Sequence, residues 1–142
     1  MSARLHGSAV LVGEHGVLLR GASGAGKSAL ALALIGQGGF ARLVGDDQLL
    51  AEAANGRLLV RPHPAIAGQI ESFGQGIVTL PHEPAAAIDL VVDLAQTIHR
   101  LPDPDRLETR IESVLLPRLP LDAGWSLRDR AAAVLGRLRQ LR

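Results

Sequence analysis

Apolar residues come in short runs along the first part of the chain, each closed by glycine, asparagine or aspartate, the pattern of strands separated by tight turns. Leu5 to Val12 and Val17 to Arg20 read as two strands joined by Gly13-Glu14-His15-Gly16. The period then changes. Ser28 to Ile35 is rich in alanine and leucine, both good helix formers, and Gly36 to Gly39 ends the helix. Arg42-Leu43-Val44 predicts a short strand that stops at Asp46-Asp47. Leu49 to Ala53 and Arg57 to Val60 flank Asn55-Gly56, the pair that most readily supplies the positive φ angles of a type I′ hairpin turn.

Pro62 to Gly76 carries two prolines and three glycines and predicts a long irregular segment in the centre of the chain, the kind of loop that tends to carry function. Ile77 to Leu80 and Ile88 to Leu94 follow as strands, the second apolar on both faces at Leu90, Val91 and Val92 and so expected deep in a sheet. Pro102-Asp103-Pro104-Asp105 marks a turn, and Ile111 to Leu116 reads as one more strand. Ser126 is placed to cap a closing helix whose Leu127, Ala131, Val134, Leu135, Leu138 and Leu141 fall at helical spacing. No linker, repeat or compositional break divides the chain, so one α/β domain over residues 1–142 is expected.

Composition narrows the picture. A chain of 142 residues can bury a core without staples, and with no cysteine it can form neither disulfides nor a thiolate zinc site. The net charge of +1, with no apolar run of spanning length and no secretory leader pattern, predicts a cytoplasmic protein that does not enter a membrane. All fifteen basic residues are arginine except Lys27, and they are scattered apart from a small cluster at the C-terminus. With two phenylalanines, one tryptophan and no tyrosine there is neither an electrostatic footprint nor a stacking platform for nucleic acid.

The single lysine stands in Gly21-Ala22-Ser23-Gly24-Ala25-Gly26-Lys27-Ser28, a complete G-x-x-x-x-G-K-[ST] phosphate loop between a predicted strand and a predicted helix. Backbone N–H groups of such a loop close around a β-phosphate, the helix N-terminus adds its positive dipole end, Lys27 reaches the β/γ oxygens, and the Ser28 hydroxyl can ligate Mg²⁺. ATP with Mg²⁺ is the ligand these residues predict. Asp46 and Asp47 end a strand expected to lie beside the phosphate-loop strand, where a carboxylate holds Mg²⁺ or accepts a proton from a nucleophile. Two adjacent like charges also invite a cation, and crowding plus partial loss of water makes a carboxylate a stronger base.

Leu5-His6-Gly7, the phosphate loop, Arg42-Leu43-Val44-Gly45-Asp46-Asp47 and Ile70-Glu71-Ser72-Phe73-Gly74-Gln75-Gly76-Ile77 together resemble the catalytic domain of the bacterial HPr kinase/phosphorylase family, and Arg106 in Asp105-Arg106-Leu107 adds a fifth point of similarity. The order of segments is the family's, with a small extra insertion between the loop helix and the aspartate pair. The resemblance implies a single phosphate-loop kinase domain with a mixed central sheet, akin also to the nucleotide-binding core of phosphoenolpyruvate carboxykinase. It further implies transfer of phosphate from ATP to a serine of HPr, or of its nitrogen-branch relative, in the sugar phosphotransferase system. On this likeness Asp47 is the base, Asp46 supports it or shares Mg²⁺, Glu71 with Ser28 ligates Mg²⁺, His6 orients the nucleophile or spreads charge, and Arg106 meets the charge on the transferring group. The chain resembles a short form without the family's frequent N-terminal regulatory domain, and the family's hexamers make a homo-oligomer an expectation.

Two positions depart from the pattern. The family commonly has arginine where Phe73 stands, and Gly-Arg-Asn in a segment tied to phosphorolysis where this chain reads Gly124-Trp125-Ser126. The kinase direction is therefore the safer expectation. A small-molecule kinase or NTPase on the same cradle, and a non-catalytic ATP-sensing module, are the other readings. ATP turnover measured with and without an HPr-like protein separates them.

Overall fold

The computed structural model describes residues 2–37, 39–95 and 107–141. Among these a nine-stranded mixed sheet carries two helices on one face. The chain opens with β1 (Ala3–His6), β2 (Ser8–Val12) and β3 (His15–Gly21), then α1 (Lys27–Ile35). The run from Leu5 to Val12 is thus two strands. Its break is Gly7, where a Cβ would sit 2.6 Å from the Leu19 carbonyl oxygen. There β1 swings away to pair with β5 (Gln48–Ala54), while β2 pairs antiparallel with β3 and with β4 (Ala41–Gly45).

The hairpin of β5 and β6 (Arg57–Pro62) forms as its turn residues predict, with Asn55 at φ 53° and Gly56 at φ 77°. Pro62 to Gly76 is more regular than its prolines and glycines imply. After a short 3₁₀ turn, β7 (Gln69–Ser72) pairs antiparallel with β8 (Gly76–Thr79) in a separate two-stranded sheet. Burial accounts for this, since Ile70 inserts into the core and anchors the hairpin whatever its intrinsic propensity.

The central strand is β9 (Ala86–Ala95), parallel to β3 on one side and, on the other, antiparallel to β6 and then parallel to β11 (Val114–Asp122). Leu90, Val91 and Val92 are all fully buried, as their apolar run predicts. A register shift against β3 skips Asp89, so that Ile88 and Val91 pack into the same cluster and Leu90 into the other. The predicted strand from Ile111 to Leu116 is instead a hairpin of β10 (Glu108–Ile111) and β11. It reverses at Glu112 and Ser113, which take φ of 47° and 68° without any glycine. The expected turn at residues 102–105 lies outside the described residues.

Alternation divides the core. Val17, Leu19, Val92 and Leu94 face α1 and α2 (Leu127–Leu138), while Leu18, Val91, Leu49, Leu58 and Val60 fill the opposite face under the curl of β1, β5 and β6. Helix α2 is capped as predicted, Ser126 Oγ accepting from Asp129 N at 3.0 Å, and it buries Ala131, Val134 and Leu138. No described helix is long and apolar enough to cross a membrane.

Since β4 is antiparallel to β2 and β2 to β3, β4 runs parallel to β3. The carboxyl ends of β3, β4, β9 and β11 consequently share one edge of the sheet, where α/β proteins build their sites. The strand bearing the aspartate pair is not adjacent to β3 as expected. The returning arm of the first hairpin, β2, lies between them.

Candidate active site

The phosphate loop runs from Gly21, the last residue of β3, to the first turn of α1. Gly26, the residue before that helix, has φ 99° and offers no side-chain cap. The amides of the first turn are therefore left for an anion rather than satisfied within the chain. Lys27 is buried, and its Nζ donates to the Gly21 carbonyl at 2.8 Å and the Ala22 carbonyl at 3.1 Å, which holds the ammonium across the loop's opening residues.

Asp46 is the centre of the polar network. At 6% exposure it accepts from Ser8 Oγ at 2.5 Å, from Ser28 Oγ at 2.9 Å on each carboxylate oxygen, and from the Glu71 amide at 3.4 Å. Asp47 has a different setting. It adopts φ 70°, and its side chain is 63% exposed with the half-exposed His6 Nδ1 3.6 Å away. Its carbonyl accepts from Gly7 N at 3.1 Å, which ties the end of β1 to the aspartate pair. The two neighbours thus do different work: one carboxylate is locked into the fold, and the other is offered to solvent.

A cleft of about 530 Å³ unites these groups, lined by the loop, Lys27, Ser28, Asp46, Asp47, Glu71, Phe73 and Ile77. Strand alternation in β7 sends Ile70 inward and leaves Glu71 on the cleft side. Phe73 at the tip of that hairpin is fully exposed, and Ile77 is largely so. On the other flank of the loop a recess of about 480 Å³ is lined by Ala22 to Ala25, Leu94, Ala95, Ala123 and Gly124. Gly124, the first residue of the Gly124-Trp125-Ser126 segment, accordingly lies beside the phosphate loop.

The donors suit a hard cation held partly by its ligands. No group of three acidic or histidine side chains is close enough to hold a metal ion by itself among the described residues, yet the Ser28 hydroxyl and the carboxylates of Asp46, Asp47 and Glu71 line one cleft beside a phosphate cradle. Mg²⁺ is bound in that way, through one or two carboxylates and the substrate's own phosphates. Of the residues singled out from the sequence, His6, Lys27, Ser28, Asp46, Asp47 and Glu71 converge here. Arg106 lies outside the described residues. Ser8 and Arg130 were not anticipated. Ser8 had one signal, a hydroxyl opening an apolar strand, and Arg130 another, a charge on the apolar stripe of α2 four and eight residues before Val134 and Leu138.

A mixed sheet with a strand, phosphate loop and helix at its carboxyl edge, and a carboxylate locked to the loop's serine, defines an α/β protein of the phosphate-loop class. Within that class the chain belongs to the family of the HPr Serine kinase C-terminal domain, whose model matches residues 1–116. It is 41% identical over 78 residues to an HPr kinase/phosphorylase of Clostridium tetani, covering 55% of this chain and 25% of that protein. It is 43% identical over 75 residues to one of Clostridium beijerinckii, covering 53% and 24% respectively. Each match thus takes in about a quarter of the curated relative's length. The Hpr(Ser) kinase/phosphatase of Coxiella burnetii has the same fold, with a TM-score of 0.80 over 97% of this chain and 95% of that one at 22% identity.

Proposed function

We propose that this chain is the catalytic domain of an ATP-dependent protein-serine kinase acting on a phosphocarrier protein of the HPr type. One observation carries the reading: Ser28 of the phosphate loop is hydrogen-bonded to Asp46 in the same cleft that Asp47 and Glu71 line. Membership of the family supplies the substrate class. The exposed Phe73 and Ile77 at the rim suit a folded protein surface better than a small polar substrate.

The loop amides and Lys27 bind the β- and γ-phosphates, and the recess beside Leu94 and Ala123 offers apolar walls to the nucleoside. Ser28, Glu71 and Asp46 would hold Mg²⁺, which supplies charge neutralisation at the γ-phosphate. Asp47 accepts the proton of the substrate serine as its oxygen forms a bond to the γ-phosphorus. The bond from that phosphorus to the bridging oxygen breaks, and its electron pair leaves on the β-phosphate of ADP. His6 orients Asp47 across their 3.6 Å contact. Arg106 is assigned to the charge of the transferring group by its sequence resemblance.

In phosphorolysis, inorganic phosphate attacks phosphoserine to give pyrophosphate, and Asp47 returns the proton to the serine oxygen. That phosphate needs donors which a phenylalanine cannot supply and an indole supplies only singly. With Phe73 in the cleft and Trp125 following Gly124 of the recess beside the loop, the reverse reaction is weak relative to the forward one. Incubating serine-phosphorylated carrier with excess phosphate and following pyrophosphate measures it, and efficient release refutes this point. The central test is transfer from labelled ATP to purified HPr and to its nitrogen-branch relative, with mapping of the modified residue. Label on serine is expected. ATP turnover with no label on either protein refutes the substrate class.

A further inference from the structure

Ser8, Lys27, Asp46 and Arg130 are the buried polar or charged residues among those described. The first three are interlocked by hydrogen bonds of 2.5 to 3.1 Å with each other, with Ser28 or with the loop carbonyls. Arg130 is not satisfied in this way. It is 8% exposed, its Nε has no hydrogen-bond partner, and its Nη1 reaches the Ala25 carbonyl only at 3.5 Å. No described carboxylate forms an ion pair with it.

An arginine does not shed its proton, so the cost of burying this charge stays in the fold until a counter-charge arrives. Its position says where that counter-charge comes from. Nη1 lies 2.7 Å from the point a Cβ on Gly26 would occupy, so the guanidinium is pressed against the phosphate loop and any side chain at 26 would displace it. The Ala25 carbonyl and the Gly26 N–H belong to one peptide unit, which is trans, so the carbonyl turned toward Arg130 leaves that N–H aimed away from it. A cation on the carbonyl side of a peptide polarises the N–H on the other side into a stronger donor.

We propose that Arg130 is a positioning residue of the nucleotide site, its guanidinium held without a carboxylate partner behind Ala25 and Gly26 so that a polyphosphate in the loop becomes its counter-charge. The inference rests on the phosphate-loop reading above and extends it to helix α2, which that reading leaves as packing. Arg130 then acts through the loop and not by touching the reacting atoms. It also gives α2 a stake in ligand binding, because the same helix buries Ala131 and Val134 against the core.

The experiment titrates Mg²⁺-ADP into the whole chain by calorimetry and records melting temperatures without nucleotide, for the wild type, Arg130→Met, Arg130→Lys and Lys27→Ala. Arg130→Met is expected to weaken ADP roughly tenfold, the scale of one charge-assisted interaction. Its melting temperature without nucleotide is expected to equal or exceed the wild type, because an apolar side chain of similar length replaces an unpaired buried charge. Arg130→Lys, which keeps the charge, should recover most of the affinity. Arg130→Met binding ADP like the wild type overturns the inference, and so does an Arg130→Met that melts lower or fails to fold, since the arginine is then structural. An Arg130→Lys as weak as Arg130→Met also counts against it. If Lys27→Ala loses affinity and Arg130→Met does not, the loop reading stands and only this inference falls. A wild type that binds no ADP removes both.

Discussion

Replacing Asp46 separates its part in the fold from its part in chemistry. Asp46→Ala removes the acceptor of the Ser8 hydroxyl, which is fully buried and has no water to turn to. Leaving such a group unsatisfied costs about 1–3 kcal/mol. Ser28 Oγ and the Glu71 amide border the open cleft and can rehydrate, so they add little, and about 2–3 kcal/mol is the expected total. With a urea slope of roughly 1–3 kcal/mol per molar for a small domain, the unfolding midpoint should fall by about 1–2 M. Asp46→Asn keeps the shape and one acceptor oxygen for Ser8, and its midpoint should fall by less than half as much. It nevertheless loses the negative charge, so its Mg²⁺ requirement in ATP turnover should rise roughly tenfold. The emission of Trp125, the single tryptophan, reports unfolding. An Asp46→Ala midpoint equal to the wild type refutes the buried-acceptor argument. An Asp46→Asn as unstable as Asp46→Ala, with its Mg²⁺ requirement unchanged, refutes the division between fold and metal.

Lys27→Ala should abolish transfer and weaken ATP binding, with Ser28→Ala acting mainly on the Mg²⁺ requirement; wild-type turnover by the lysine variant sinks the site. Asp47→Asn should leave nucleotide binding intact and slow transfer by roughly a hundredfold or more, as loss of a general base does, whereas Glu71→Gln should raise the Mg²⁺ requirement. A selective chemical defect in Asp46→Asn instead of Asp47→Asn reverses the assignment within the pair. Away from the cleft, burial raises the Asp93 carboxyl's pKa, but the hydrogen bonds and charges of Arg20 and Arg118 overcome it and leave the value below the ordinary 3.8. Because the folded value is the lower one, the pair stabilises the protein above about pH 3.8 and that stability is lost as pH falls through the folded value. Urea midpoints of the wild type and Asp93→Asn should therefore differ near neutrality and converge in acid, and a pH-independent difference contradicts the ion-pair account.

The parts of this protein legible in its sequence are those whose cause is local. A phosphate loop needs its glycines and its lysine within eight consecutive residues, a type I′ turn needs only Asn55 and Gly56, and Ser126 caps the helix that follows it directly. The same locality placed Asp46 and Asp47 at a strand end, and the apolar run of β9 announced burial on both faces. The reversal at Glu112 and Ser113 is not legible in the sequence because neither residue advertises positive φ, and the conformation is imposed by the pairing of β10 with β11.

Everything that depends on which strand lies beside which had to wait for the tertiary structure. Strand order put β2 between the phosphate loop and the aspartates, and so delivered Ser8 to Asp46 across 38 positions of sequence. The packing of α2 on α1 brought Arg130 to Ala25 across 105. The placement of β1 and β2 also gave two adjacent aspartates opposite surroundings, one locked among hydroxyls and one open beside His6. Local chemistry selects the residues able to hold a phosphate. Only the closing of long loops around a shared core decides which distant groups stand behind them, because contacts between remote residues carry no trace in the local pattern.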